Sequence, residues 1–215
     1  MRRVGFIAFA LNALMAGTAE ARETQPPADF SGVYLGLNTG YGFGASGDWC
    51  NCSFLPPAVD ATGGEGGITV SLEAGYDMRF GPLVIEAAAR AGLADIKFSE
   101  TCAGGTRCHG EASWLAEAQM SAGILVDDTL LAGSIGYAAG EVTAQTGGGP
   151  ADTSVHDGRV FGARVEQGMT QGWRMGVEHR YYDMGGANEG ALGADVDIDW
   201  TSHTIALIIR YELGE

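Results

Sequence analysis

The sequence predicts an all-β fold: an eight-stranded antiparallel up-and-down transmembrane β-barrel, preceded by a cleaved signal peptide. Three observations predict it. Segments that alternate apolar with small or polar residues recur eight times, long and short connections alternate between them, and aromatic residues gather near both ends of the segments. Period two belongs to a strand. An apolar face backed by Gly, Glu and Arg suits a sheet with lipid outside and a crowded lumen inside. Backbone groups in lipid must all pair, so such a sheet closes on itself.

The totals agree with this class. Charged residues make up 18% and glycines number 35 in 215 residues, low and high respectively for one or two soluble domains. Mean hydropathy is +0.04, too mild for a helical membrane protein, and no run reaches the ~18 apolar residues of a spanning helix. Barrel strands conceal their membrane character because alternate residues face inward. Residues 1–21 read as the signal peptide: Arg2 and Arg3 supply the positive start, Val4 to Ala16 the apolar stretch, and Ala19-Glu20-Ala21 the cleavage site. Their removal takes the net charge from −15 to −16. Nucleic acid is therefore excluded as an expected partner, because phosphates demand a basic face. Residues 22–29 form a short periplasmic lead, and residues 30–215 the barrel with four long external loops.

The first strand runs from Phe30 to Gly44. Val33, Leu35, Leu37, Thr39, Tyr41 and Phe43 share one face; Tyr34, Gly36, Asn38, Gly40, Gly42 and Gly44 share the other. Asp48 to Gly67 has loop composition. Ile68 to Tyr76 alternates again with Glu73 opposite the apolar face, and Asp77 to Pro82 reads as a tight turn. Leu83 to Leu93 sets Ile85, Ala87 and Ala89 against Glu86 and Arg90; Ser99 to Gly110 is the second loop. Ala112 to Ile124 sets Ala112, Trp114, Ala116, Ala118, Met120, Ala122 and Ile124 against Glu117, Gln119 and Ser121. The third and fourth segments are rich in Ala, a helix former. A helical stripe through Trp114 would meet Glu117 and Ser121, whereas the period-two face holds over seven positions.

Asp127-Asp128 is a short turn, and Thr129 to Gly140 follows with Leu131, Ile135 and Tyr137 outward. Gln145 to Asp157 is the third loop. Arg159 to Gly168 sets Phe161, Ala163 and Val165 against Arg164 and Glu166. After Thr170-Gln171-Gly172, Trp173 to Tyr182 sets Trp173, Met175, Val177, His179 and Tyr181 against Arg174, Glu178 and Arg180. Asp183 to Asp199 is the fourth, acidic loop. Thr201 to Leu213 closes the chain with Ile205, Leu207, Ile209 and Tyr211 outward and Arg210 and Glu212 inward.

With a periplasmic N-terminus, Tyr41, Phe43, Trp114, Tyr137, Phe161 and Tyr181 gather at the long-loop rim. Tyr76, Phe80, Trp173 and Tyr211 gather at the short-turn rim. Two aromatic girdles at two interfaces follow.

Glu73, Glu86, Arg90, Glu117, Arg164, Glu166, Glu178, Arg180 and Arg210 all face inward. Acid–base catalysis is one use of such a set. A lumen network of ion pairs is the plainer one, because an eight-stranded interior is only wide enough for side chains and buried charges need partners. No catalytic residue, metal ligand or cofactor is assigned. Gly42 to Gly47 matches G-x-G-x-x-G, but no amphipathic helix follows. Asp195 to Asp199 resembles a calcium loop without its required Gly and Glu. Cys50, Cys52, Cys102 and Cys108 are disulfide candidates after export, with zinc ligation beside His109 as the alternative. His109, His156, His179 and His203 are scattered along the chain and read as solvated or interface residues.

At this point the chain resembles a known family. Phe30-Ser31-Gly32-Val33-Tyr34-Leu35-Gly36 with Gly40-Tyr41 is similar to the first strand of OmpA-like, opacity-type small outer-membrane surface proteins. Gly162 to Glu166, Gly172-Trp173 and Glu178 to Asp183 are similar to that family's sixth and seventh strands, and His203 to Leu213 to its last. The resemblance spans the mature chain. It implies a non-enzymatic, structural and surface-exposed protein of the Gram-negative outer membrane. Its implied partners are outer-membrane lipid and lipopolysaccharide, the barrel-assembly machinery, and a host or environmental ligand at the loops; the expected state is a monomer. The alternatives are a small porin-like channel and a lipid-modifying enzyme, the latter drawing on His179, Ser202 and His203. Such barrels end on Phe, whereas this chain ends Tyr211-Glu212-Leu213-Gly214-Glu215.

Overall fold

A computed structural model describes residues 29–51, 64–101, 107–147, 149, 151–188 and 196–213. The expected signal peptide and most of the lead lie outside these residues. Eight strands follow in order: β1 (Gly32–Asn51), β2 (Gly64–Phe80), β3 (Leu83–Thr101), β4 (Arg107–Val126), β5 (Thr129–Thr146), β6 (Ala151–Gly168), β7 (Trp173–Asn188) and β8 (Val196–Glu212). Each pairs antiparallel with the next, and β1 pairs with β8 to close the barrel. Closure leaves no strand edge unpaired.

Three tight turns join the strands at one end. Gly81 adopts φ 63°, a conformation without penalty only for glycine, and Leu125 N–H donates to the Pro82 carbonyl at 2.7 Å. Asp127 (φ 53°) and Gln171 (φ 59°) enter the same region without that freedom, although Asp tolerates it better than most residues. Asp77 belongs to β2 and points into the lumen, not to the turn where its sequence context placed it. The misreading arose because an acidic residue beside a turn looks like turn chemistry.

The strands are 16 to 20 residues long, well beyond the ~9–11 needed to cross a bilayer. The extra length lies at the far end, and it corrects the four long loops. Most of Gln145–Asp157 is strand, with only residues 147–150 between β5 and β6, and much of Ser99–Gly110 belongs to β3 and β4. Away from lipid the outward face need not be apolar, so the alternation fades while backbone pairing continues. Thr143 and Thr153 stand opposite one another there with hydroxyls 3.0 Å apart.

A bulge between Ala112 and Trp114 inverts β4. Below it Glu117, Gln119 and Ser121 are buried in the lumen; above it Cys108 and Ala112 are. Ala112 therefore faces inward, not outward with Trp114. One extra residue shifts the period by one, which an unbroken alternation cannot reveal.

Candidate functional site

The lumen is filled in three layers. At the short-turn end Phe30, Val84, Leu125 and Leu130 form an apolar plug. At the opposite end Ile96, Phe98, Ala112, Val142, Val160, Met184 and Trp200 form a larger one, with the Phe98 and Trp200 rings 6.5 Å apart and nearly parallel. Between them lies a buried layer of charge.

Neighbouring strands bring opposite charges into register: Glu73 faces Arg90, Arg90 faces Glu117, and Arg164 faces Glu178. Arg90 contacts Glu73, Glu117 at 2.8 Å and Glu178 at 3.0 Å. Arg180 contacts Glu178 and lies 3.4 Å from Glu117. Arg164 grips Glu86 with two hydrogen bonds of 2.8 and 2.7 Å. Arg210 reaches Glu86 at 2.8 Å, Glu166 at 2.9 Å and also Glu73. These nine residues are among those the alternation assigned to the lumen.

The alternation also set Arg174 inward; Asp77, read as part of a turn, is the charged member it missed. Arg174 pairs with Asp77 at 2.7 Å and Glu166 at 3.2 Å. Tyr34 donates to Glu73 at 2.8 Å, and the Arg174 and Arg210 guanidiniums lie over its ring, 4.9 and 4.7 Å from its centroid. Tyr34 was legible only as the one large residue on a face of glycines. Those glycines admit the neighbouring side chains: a Cβ on Gly75 would lie 2.4 Å from the Tyr34 hydroxyl, and one on Gly36 3.2 Å from Arg210 Cγ. A cavity of about 20 Å³, bordered by Arg90, Glu117, Arg180 and Tyr182, lies in this layer. It has room for one water.

The outside is apolar. Leu35, Leu72, Leu93, Met120, Ile135, Val165 and Leu207 are all exposed. Tyr41, Phe43, Tyr137 and Phe161 are exposed toward the far end, where Trp114 and Tyr181 are half-buried. Tyr76, Trp173 and Tyr211 are exposed near the turns, the last two with ring centroids 4.8 Å apart.

Two histidine contacts appear that sequence spacing did not show. His179 Nε2 lies 3.2 Å from His203 Nδ1 on the outer surface. Inside the mouth, the Ser154 hydroxyl lies 2.9 Å from His156 Nε2, and His156 Nδ1 lies 3.1 Å from the Gly185 carbonyl. Ser202 is buried inside the barrel while the His203 ring points outward, so the Ser202 hydroxyl reaches the His203 backbone carbonyl at 3.5 Å and not its ring. Cys108 is buried and carries no free thiol; the side chains of Cys50, Cys52 and Cys102 lie outside the described residues. Among the described residues, no three His, Cys, Asp or Glu side chains converge as a metal site.

A family model for the outer membrane protein beta-barrel domain matches residues 7–207. No curated protein matches the chain in sequence. Among solved structures, it is similar to Neisserial surface protein A at 16% identity and a TM-score of 0.47, covering 85% of this chain and 98% of that one. It is similar to OprG from Pseudomonas aeruginosa at 11% identity and a TM-score of 0.46, covering 85% and 97%. The attachment invasion locus protein Ail of Yersinia pestis matches at 10% identity and a TM-score of 0.42, covering 84% and 99%.

Proposed function

Because the chain belongs to the outer membrane protein beta-barrel domain family and lies in the outer membrane of a Gram-negative bacterium, we propose that it serves there as a non-enzymatic, structural and surface-exposed protein. It is a monomeric barrel closed to ions. The observation that carries this reading is the filled lumen: a layer of paired charges between two apolar plugs. Buried arginines and carboxylates held in ion pairs with one another are poor acid–base catalysts and fill the path that hydrated ions would need. The strands that continue beyond the apolar band would carry their connections away from the membrane toward lipopolysaccharide and a host or environmental ligand. The barrel-assembly machinery would insert the chain.

A planar-bilayer recording tests closure. An epitope inserted within residues 147–150, the β5–β6 connection, tests exposure: antibody should reach it on intact cells and should not reach one inserted at Asp127-Asp128. Equal labelling of both, or of neither, would contradict the orientation. Lipid analysis of a deletion strain tests the enzymatic alternative, and an unchanged lipid profile is expected.

A further inference from the structure

The ion-paired lumen leaves the histidines on the outer surface unexplained. His179 lies on β7 and His203 on β8, in diagonal rather than direct register: His179 faces Ile205, and Tyr181 faces His203. Their rings stack with centroids 5.3 Å apart and planes 23° apart, which brings His179 Nε2 to 3.2 Å from His203 Nδ1. His203 is held on both sides. Phe43 of β1 stacks on it at 5.6 Å and 20°, and Tyr181 packs at 4.9 Å and 41°. Three strands thus fix the pair, and packed rings restrict its rotamers.

The separation suits a metal ion. Two bonds of about 2.0–2.1 Å at a tetrahedral angle place imidazole nitrogens roughly 3.3 Å apart. Imidazole is a favoured ligand of zinc and copper, and carboxylate-preferring calcium or magnesium would gain little from it. The location also fits. Ile205, Leu207 and Ile209 lie toward the short-turn end of β8, and His203 is the first outward ring past that apolar run. On β7 the order outward is His179, Tyr181, Asp183. The pair therefore sits at the outer edge of the apolar band, where water reaches it.

We propose that His179 and His203 form a two-imidazole site for a divalent transition ion of the zinc and copper class, with water in the remaining positions. When both rings are neutral, a hydrogen bond between these nitrogens requires one to carry a proton. Binding moves that proton to the ring's other nitrogen, so each ring presents a lone pair and no net proton is released. The inference does not depend on whether the barrel conducts.

The test uses the untagged, folded barrel in detergent micelles. Zinc is titrated calorimetrically, and copper is followed by electron paramagnetic resonance. One ion per chain is expected, with a copper spectrum showing two nitrogen ligands. H179Q and H203N should each weaken binding by roughly tenfold or more and leave one nitrogen, because one of two protein ligands is gone. Q167A, at an exposed side chain of the short-turn end, should change nothing. Heat-modifiable gel mobility reports folding of every variant. If H203N fails to fold, H179Q decides, since His179 is the exposed member of the pair. The proposal is overturned if the folded protein takes up no ion, or if binding persists undiminished in H179Q.

Discussion

Arg90 on β3 and Glu178 on β7 meet at 3.0 Å, although their strands stand opposite one another in the ring of eight. The pair spans the lumen as a strut. Arg164 on β6 and Glu86 on β3 form a second, bidentate strut. Backbone ladders fix each strand to its neighbours, and these side chains fix opposite walls to each other.

Removing a strut end should cost more than removing a surface charge. Arg90→Ala leaves Glu73, Glu117 and Glu178 without that guanidinium. The expected loss is about 3–5 kcal/mol, read as a lower urea midpoint for the folded barrel in micelles. Arg90→Lys should fall between, because a point ammonium lacks the planar fork that contacts several carboxylates. An unchanged midpoint for Arg90→Ala would remove the strut from the account.

Gly75→Ala should also destabilise. The new methyl would meet the Tyr34 ring and hydroxyl at 2.4–2.6 Å, and that ring is already packed against two guanidiniums. Overpacking of this kind costs about 1–3 kcal/mol. Gly133→Ala is the control, since its nearest new neighbour lies at 3.9 Å, and its unfolding midpoint should barely move.

The apolar band can be located by charge. Leu207→Arg places a cation on the lipid face and should cost about 2–4 kcal/mol near the bilayer midplane. Val155→Arg, equally exposed but on the outer extension of β6, should be tolerated. Refolding into vesicles separates the two, and equal losses would contradict the position of the band.

Non-reducing mass mapping of the exported protein should find Cys108 joined to Cys50, Cys52 or Cys102. Four alkylatable thiols without reduction would refute that pairing.

Much of this was legible in the chain. Alternation identified every strand and put Glu73, Arg90, Glu178 and Arg210 on the inner face, because lipid forces apolar residues outward at every second position. Where that force stops, legibility stops. Thr143 and Thr153 pair beyond the membrane without an apolar face to betray a strand. Ala112 was misassigned because one bulged residue inverts everything beyond it. His179 and His203 stand 24 residues apart in sequence and meet only through the diagonal register of β7 and β8, which no local pattern encodes. Tyr34 gave a partial signal, a single large ring among glycines, whose partners lie on three other strands.

The central claim is that the barrel is closed by its own side chains. Planar-bilayer recording of the purified, refolded protein tests it most directly. No steady conductance above the bare bilayer is expected, because paired charges fill the middle of the lumen and apolar plugs cover both sides. Reproducible, ion-selective steps from the wild-type protein would contradict it.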